Sequence, residues 1–230
     1  MSDQEVVKSH CNDCLQETRH FLLFTKTQDF TQLDPDGGPH YIEQFRWSLL
    51  ECCGCESISL KREYTHSSLE EPEVDFFPPS ASRKIPRWAM LTLCFKQGGA
   101  IYGLLQEVYS SLHAGHYRLA AMGTRALIEA VLMDALKNED QGFPEKLDMV
   151  QERGLLSRQD RQILEAAIEA GHGAAHRAYA PRAEDVNKII DIVEHLLESL
   201  YVLGPVGEKL KSTVPPRKGK SRGTIEGSAK

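Results

Sequence analysis

Two pairs of cysteines constrain the fold of this chain more than any other feature of its sequence. Cys11 and Cys14 form one Cys-x2-Cys pair, and Cys52 and Cys55 form the other. Two thiolates at this spacing can turn back onto one ion, and Gly54 suits a tight turn within the second pair. The spacing therefore predicts one tetrahedral metal site with four cysteine ligands.

The sequence leaves two neighbouring cysteines as candidates for one ligand of this predicted site. Cys52 keeps the two-residue spacing to Cys55, but Cys53 stands beside it and is the alternative ligand. Thiolates select zinc among the common cellular metals, and four of them leave no coordination position for water or substrate. We therefore expect a structural zinc that stabilises the fold and takes no part in catalysis.

Residues 1–66 have strand character around both cysteine pairs. β-Branched and aromatic residues are frequent at 18–25, 41–50 and 57–65, and turn-forming residues fill 33–39. Four reduced cysteines without a metal are the alternative, but a β-domain this small has little core and usually needs a metal or another crosslink. The order of cysteine pair, strand, loop, strand, cysteine pair and strand resembles a zinc ribbon.

Charge and hydropathy exclude several classes of protein. The chain has 230 residues, a formal net charge of -6 and an isoelectric point near 5.9, which do not indicate a dedicated nucleic-acid binder. No apolar run approaches a membrane span, and the N-terminus lacks the apolar core of a signal peptide. We expect a cytoplasmic protein without a membrane partner. The local candidates for contacts with RNA or DNA are Arg19, Arg46, Trp47, Lys61 and Arg62.

The composition changes twice after the β-domain. Prolines are dense over 67–87, which predicts a linker because proline disfavours helices and central strands. Apolar residues then recur with a helical period over 88–207, whereas 208–230 is basic, poor in apolar residues and predicted to be disordered. The predicted fold class is α+β, with a small β zinc ribbon followed by an all-α bundle. The predicted helices cover 98–113, 117–137, 144–153, a segment that opens at Ser157 with a capping box to Asp160, and 183–203.

Two histidines stand four residues apart in a segment rich in glycine and alanine. His172 and His176 share a face if the helix continues through this segment. Arg125 and Glu129 are also one turn apart, on the most apolar of the predicted helices, where a buried arginine needs polar partners. We therefore predict an interhelical polar cluster of these four residues.

Three runs carry a resemblance to a known family: 119–129, 143–154 and Ala170 to Arg177. Together they resemble domain of unknown function 4145, a helical domain found alone and attached to restriction-endonuclease subunits. Members often carry an N-terminal zinc ribbon. The resemblance covers about residues 85–205, and it implies proteins of restriction or phage defence as partners.

The same family is similar to the HEPN helical domains. Some HEPN domains are metal-independent ribonucleases that use an Arg-x4-6-His motif, often completed across a dimer. His176 matches the histidine of that motif, but Glu169, Ala170 and Gly171 stand where the arginine is expected. The phosphate charge that the arginine would stabilise has no obvious replacement.

Three hypotheses of function follow. The first is a non-enzymatic module, as a homodimer, that binds protein or nucleic acid and in which the histidines only hold the helices together. The second is a HEPN-like ribonuclease in which His176 acts as general acid or base, with help from His172, Arg177 or Arg125. The third treats the two histidines as ligands of a second metal, together with a glutamate. We favour the first.

Overall fold

The computed structural model describes residues 5–33, 36, 39–137 and 141–215. An N-terminal antiparallel β-sheet is followed by a helical region, so the predicted α+β class is confirmed. Residues 216–230, which hold most of the predicted basic tail, lie outside the described residues.

The sheet has five antiparallel strands in the order β1-β2-β3-β4-β5, so each strand pairs with its neighbour in sequence. The strands are β1 Val6–Cys11, β2 Gln16–Leu33, β3 Pro39–Cys52, β4 Ile58–His66 and β5 Glu73–Phe77. Three of them lie where strands were predicted, although β2 and β3 are longer. A register shift between Leu22 and Phe24 interrupts the ladder of β2 with β3.

Strand β5 forms inside the stretch that was predicted as a linker. It pairs only with β4 and is therefore an edge strand. Pro72 and Pro78 stand immediately before and after it, so neither proline has to donate a hydrogen bond to the ladder. The proline density of this stretch therefore limits the length of the strand without preventing it.

All the predicted helices are present in the helical region. In chain order the helices are α1 Arg87–Leu93, α2 Ala100–His113, α3 Tyr117–Leu136, α4 Phe143–Glu152, α5 Arg158–His176, α6 Ala183–Glu198 and α7 Gly204–Thr213. A 3-10 turn precedes α2, and a π-helical turn over Ser199–Leu203 joins α6 to α7. The predicted capping box opens α5, since Ser157 and Asp160 exchange side-chain and backbone hydrogen bonds.

Helix α3 is the centre of the bundle. It packs against α2, α4, α5 and α6, and its inward face is fully apolar except for one threonine. The Thr124 hydroxyl donates to the Ala120 carbonyl at 2.7 Å, which satisfies its polar group inside the core. None of the described helices is long and apolar enough to cross a lipid bilayer.

Helix α7 continues the chain beyond residue 208, where the disordered tail was expected to begin. Pro205 occupies its first turn, a position where the missing backbone N–H of proline costs nothing. None of its residues is buried, and Leu203, Val206 and Leu210 are each at least half exposed.

Residues 79–84 attach the sheet to the helices through contacts on both sides. Asn12 donates its side-chain amide to the Pro79 carbonyl at 3.0 Å and accepts from the Ala81 backbone N–H at 2.8 Å. His10 also contacts the Ala81 carbonyl, at 2.9 Å. The linker is therefore held against the turn that contains the first cysteine pair.

On the helical side, Arg83 holds the linker against α6. Its guanidinium donates to the Asn187 carbonyl at 3.1 Å and forms ion pairs with Asp191 at 2.7 Å and Glu194 at 2.9 Å. Tyr109 donates its hydroxyl to Glu194 as well. Burial raises the pKa of the Glu194 carboxyl although the Tyr109 hydrogen bond and the Arg83 charge oppose the rise. Tyr109 and Arg83 therefore both favour the ionised form of Glu194.

We expect Arg83→Met to lower the free energy of unfolding by about 2 kcal/mol, because a largely buried carboxylate loses its cation. Lys84→Met is the matched control, since the Lys84 pair with Asp13 is about half exposed and contributes less than about 1 kcal/mol. Urea denaturation followed by circular dichroism measures both. Equal losses in the two variants would show that Arg83 has no special role.

Candidate metal centre and helical cleft

The four predicted cysteine ligands lie together at one end of the sheet. Cys11 ends β1, Cys52 ends β3, and Cys14 and Cys55 lie in the turns that follow. All four sulfur atoms lie within 4.8 Å of one another, and none of the four cysteines forms a disulfide. The prediction that these four cysteines form one potential metal site is therefore confirmed.

The sulfur separations fit a single tetrahedral ion. Cys11 Sγ and Cys55 Sγ are 3.4 Å apart, and Cys14 Sγ and Cys52 Sγ are 3.9 Å apart. Four thiolates at a zinc–sulfur distance of about 2.3 Å would be about 3.8 Å from each other. The donor set is thus close to the size that an ion of this kind requires.

Cys53 lies outside the cluster. Its side chain is exposed, and its backbone N–H donates to the Arg19 carbonyl at 2.9 Å. The structure therefore brings Cys52, and not Cys53, to the other three sulfurs. The two-residue spacing was the correct guide to this ligand.

The two cysteine turns have the same backbone hydrogen bond. Leu15 N–H donates to the Cys11 carbonyl at 2.8 Å, and Glu56 N–H donates to the Cys52 carbonyl at 2.9 Å. Leu15 and Glu56 both have positive φ, at 54° and 62°, whereas Gly54 does not. The positive φ therefore falls one residue after each cysteine pair, whereas Gly54 lies within the turn as expected.

The pKa values of two thiols of the cluster are shifted in opposite directions. Burial raises the pKa of Cys52, but the Thr18 hydroxyl and backbone N–H groups outweigh burial and lower it to about 6. Hydrogen bonds with the neighbouring thiols of Cys55 and Cys11 raise the pKa of Cys14 to about 12. Thiolates this close repel each other, so all four ionise together only around a cation.

In the helical region, Gly171 allows α5 to approach α3 closely. A Cβ atom at this position would lie 2.7 Å from the Ala121 carbonyl oxygen and 2.7 Å from Cβ of Arg125. The aliphatic stem of Arg125 therefore passes directly over Gly171. This contact places the arginine at the edge of a cleft between α3, α4 and α5.

The cleft has a volume of about 350 Å³ and contains two of the predicted site residues, Arg125 and His172. Arg125 is partly buried, and its Nε atom is buried without a hydrogen-bond partner among the described residues. The cleft is lined by Arg125, Phe143, Pro144, Leu147, Glu165, Ile168, Glu169 and His172.

The other predicted site residues lie around this cleft. The rings of His172 and His176 have centroids 4.7 Å apart, and His176 is exposed. Within the described part of the chain, no hydrogen bond or ion pair joins Arg125 or Glu129 to either histidine. The predicted ribonuclease assistant Arg177 forms an ion pair with Glu169 at 2.5 Å.

In the described part of the chain, the two histidines are not part of a set of ligands for a second metal. Among the described residues, the cysteine cluster is the one group of three or more His, Cys, Asp or Glu side chains whose ligand atoms lie close enough to hold an ion. The paired histidines have no carboxylate placed with them in this way.

The predicted basic surface of the sheet is divided between its two faces. Arg46 and Lys61 lie on one face, because their strand partners are Glu63 and Ser48. Trp47 and Arg62 are cross-strand partners and lie on the opposite face. The alternation of side chains along a strand separates the two pairs.

The sequence analysis missed a set of aromatic side chains that share the face of Trp47. We call this surface the aromatic face; it comprises Phe24, Phe30, Phe45, Trp47, Tyr64 and Phe77. Ring centroids are 4.8 Å apart for Phe45 and Tyr64, and 6.0 Å apart for Trp47 and Phe77. Phe24 is 62% exposed and Phe30 52% exposed, and no described helix packs extensively against the sheet. The signal for this surface was that Phe24 and Phe30 in β2, and Phe45 and Trp47 in β3, are separated by even numbers of residues and so share a face of their strand.

The fold and the site define a β-sheet domain with a cluster of four cysteines that could hold a metal ion, joined to a helical domain. Residues 106–213, from within α2 to the end of α7, match the family model described as Domain of unknown function (DUF4145). This helical part of the chain matches that family, as the resemblance of its sequence indicated. No curated protein matches the chain.

We expect Cys52→Ser to abolish metal binding and to unfold the β-sheet domain, because binding of a structural metal contributes about 10 kcal/mol or more to folding. Cys53→Ser is the matched control and should keep the metal content of the parent. Elemental analysis and limited proteolysis of residues 5–77 measure the two effects. Loss of metal in Cys53→Ser alone would contradict the ligand assignment.

We expect Gly171→Ala to lower the free energy of unfolding by about 1–3 kcal/mol, because the new methyl group meets a backbone oxygen that cannot move by itself. Gly173→Ala lies on the same helix, but its methyl group would meet the mobile Arg177 guanidinium at 3.0 Å. That variant should be neutral or more stable, since alanine favours helix by up to about 1 kcal/mol. Thermal denaturation of both variants checks the difference in sign.

Proposed function

We propose that this chain is a non-enzymatic protein-binding module, in which a structural zinc stabilises a β-sheet domain that presents its aromatic face to a partner protein. The observation that carries the proposal is the aromatic face itself. Phe24, Phe30 and Phe77 are each about half exposed or more, and they adjoin partly buried aromatic rings. Contiguous exposed apolar surface of this kind marks interaction sites on folded proteins.

Zinc is the metal that best suits the cysteine cluster. The cluster offers four sulfur ligands and near-tetrahedral spacing, and zinc accepts that geometry without redox chemistry. The order of strands and cysteine turns also supports a zinc ribbon. Four thiolates would saturate the ion, so its role is to stabilise the sheet and not to activate water or substrate.

The charges on the aromatic face favour a protein over a nucleic acid. Among the rings its cations are Lys26 and Arg62, and Arg62 already pairs with Asp75; Lys8 and Arg19 lie on the same side of the sheet, nearer the cysteine cluster. Glu43 and Glu73 lie on the same face, so carboxylates outnumber cations among the rings. Binding to nucleic acid depends on phosphate contacts with lysine and arginine, whereas carboxylates outnumber these cations among the rings of this surface. Aromatic residues with few net charges are typical of the centre of protein interfaces.

Two features disfavour the ribonuclease hypothesis. Arg177 is ion-paired with Glu169, so its charge is already partly neutralised. Arg125 lies in the cleft with His172, whereas His176 is exposed on the far side of the histidine pair. An arginine and a histidine that act on one phosphate must both reach it.

Site-specific photo-crosslinking in cells of the native host tests the protein-binding role. A photoreactive phenylalanine analogue at position 24 lies on the aromatic face, and the same group at position 27 lies on the opposite face of the same strand. We expect discrete protein adducts from position 24 only, resistant to nuclease and removed by protease. A second copy of this chain in the adduct would make the partner a homodimer, which the proposal accommodates.

Adducts that nuclease removes, or equal adducts from both positions, would contradict a protein-binding aromatic face. Fluorescence anisotropy with single-stranded RNA and DNA provides an independent check. We expect the parent to bind these nucleic acids no more tightly than the double variant Phe24→Ser, Phe30→Ser. The double variant keeps the fold because both side chains are already exposed.

For the ribonuclease hypothesis, we expect purified protein to cleave labelled RNA and tRNA no faster than His176→Ala does. Denaturing gel electrophoresis of the products measures the rate. Cleavage in the parent that falls at least tenfold in His176→Ala, with the fold intact, would replace the non-enzymatic proposal by the enzymatic one.

A further inference from the structure

We propose that the cleft between α3, α4 and α5 binds a small organic anion, with its carboxylate or phosphate on Arg125 and its apolar body against α4. This site is separate from the aromatic face and lies in the other domain. The proposal rests on an arginine without a partner in a cleft whose other charges are already paired.

The two carboxylates of the cleft do not neutralise Arg125. Glu165 forms an ion pair with Arg161 at 3.0 Å, and Glu169 forms one with Arg177 at 2.5 Å. Both arginines approach from the α5 side. Among the described residues, Arg125 forms no ion pair, and its Nε atom is buried without a hydrogen-bond acceptor. Arg161 also pairs with Asp148, so what distinguishes Arg125 is that, of the formally charged side chains lining the cleft, it alone has no ion pair among the described residues.

The position of Arg125 is fixed by backbone packing. Its stem crosses α5 over Gly171, where any side chain would collide with it. The guanidinium is thus held at the cleft with little freedom to move, and a preorganised arginine loses less entropy when it binds an anion. His172, one residue further along α5, offers a ring nitrogen on the same cleft as a second hydrogen-bond donor.

The remaining walls determine the shape of the ligand. Phe143, Leu147 and Ile168 line the cleft opposite the polar residues. Leu147 is part of the hydrophobic core of the bundle, and Phe143 and Ile168 pack against that core. A volume of about 350 Å³ lies at the lower end of the range for small-molecule sites. The ligand that fits is an anionic head group with an apolar body of about one aromatic ring.

The planar guanidinium determines the chemistry of the head group. Arginine binds carboxylate and phosphate through two parallel N–H donors, and a neutral group of the same shape cannot accept both with charge assistance. Free carboxylates and phosphates share this chemistry, so the experiment uses one probe of each kind.

The test titrates full-length, metal-loaded protein with phenyl phosphate and with benzoate, followed by ligand-observed NMR at constant ionic strength. We expect saturable binding of at least one probe with a Kd on the order of 1 mM, the affinity typical of a ligand with about ten non-hydrogen atoms. Benzyl alcohol, which lacks the charge, and inorganic phosphate, which lacks the ring, should each bind at least tenfold more weakly.

Two variants assign the binding to the cleft. Arg125→Met should raise the Kd of the bound probe at least tenfold, whereas Arg118→Met, two turns earlier on α3 and outside the cleft, should change it less than twofold. Arg125→Lys keeps the stem over Gly171 and the charge but loses the paired donors, so it should raise the Kd at least threefold. It also serves if the methionine variant does not fold.

The proposal is overturned by any of three results. These are the absence of saturable binding of both probes up to 10 mM, an unchanged Kd in folded Arg125→Lys and Arg125→Met, or benzyl alcohol binding as tightly as the charged probes. Photo-crosslinking at position 24 is unaffected by these outcomes, because that position lies on the sheet.

Discussion

The convergence of four sulfur atoms at one end of the sheet is the contact on which the β-sheet domain depends. A single layer of five strands buries few side chains, and no second layer of the described structure covers it. Leu50, His20 and Cys52 are almost fully buried, and all three lie near the sulfur cluster. The cluster joins the ends of β1 and β3 with the two turns after them, so a metal bound there would crosslink a domain that has little hydrophobic core.

The helical domain is stabilised by a hydrophobic core instead. Its core is extensive and apolar, and it spans all the long helices. A close approach within it occurs where Gly171 meets α3, and that approach leaves the guanidinium of Arg125 at the boundary between core and cleft. Gly171 therefore determines both how closely α5 packs on α3 and where Arg125 lies.

The sequence predicts what depends on local spacing and misses what depends on register. The cysteine spacing identifies all four ligands, and the helical period places the long helices to within a few residues. The aromatic face is harder to see because the register shift after Leu22 reverses the alternation: Leu22 pairs with Leu50, whereas Phe24 pairs with Leu49 on the other face. Glu165 pairs with Arg161, four residues away on α5, and Glu169 pairs with Arg177, eight residues away at the C-terminal cap of α5. Sequence spacing alone does not show whether these glutamates pair with Arg161 and Arg177 or with Arg125.

The residues between the first two cysteines have a second task besides forming a metal turn. Asn12 and Asp13 hold the linker at Pro79, Ala81 and Lys84, and the linker in turn is anchored to α6 through Arg83. Any coupling between metal binding and the attachment of the linker would act equally in both directions, because a coupling free energy is reciprocal. A metal bound by the four cysteines would therefore stabilise the turn that holds the linker as well as the sheet.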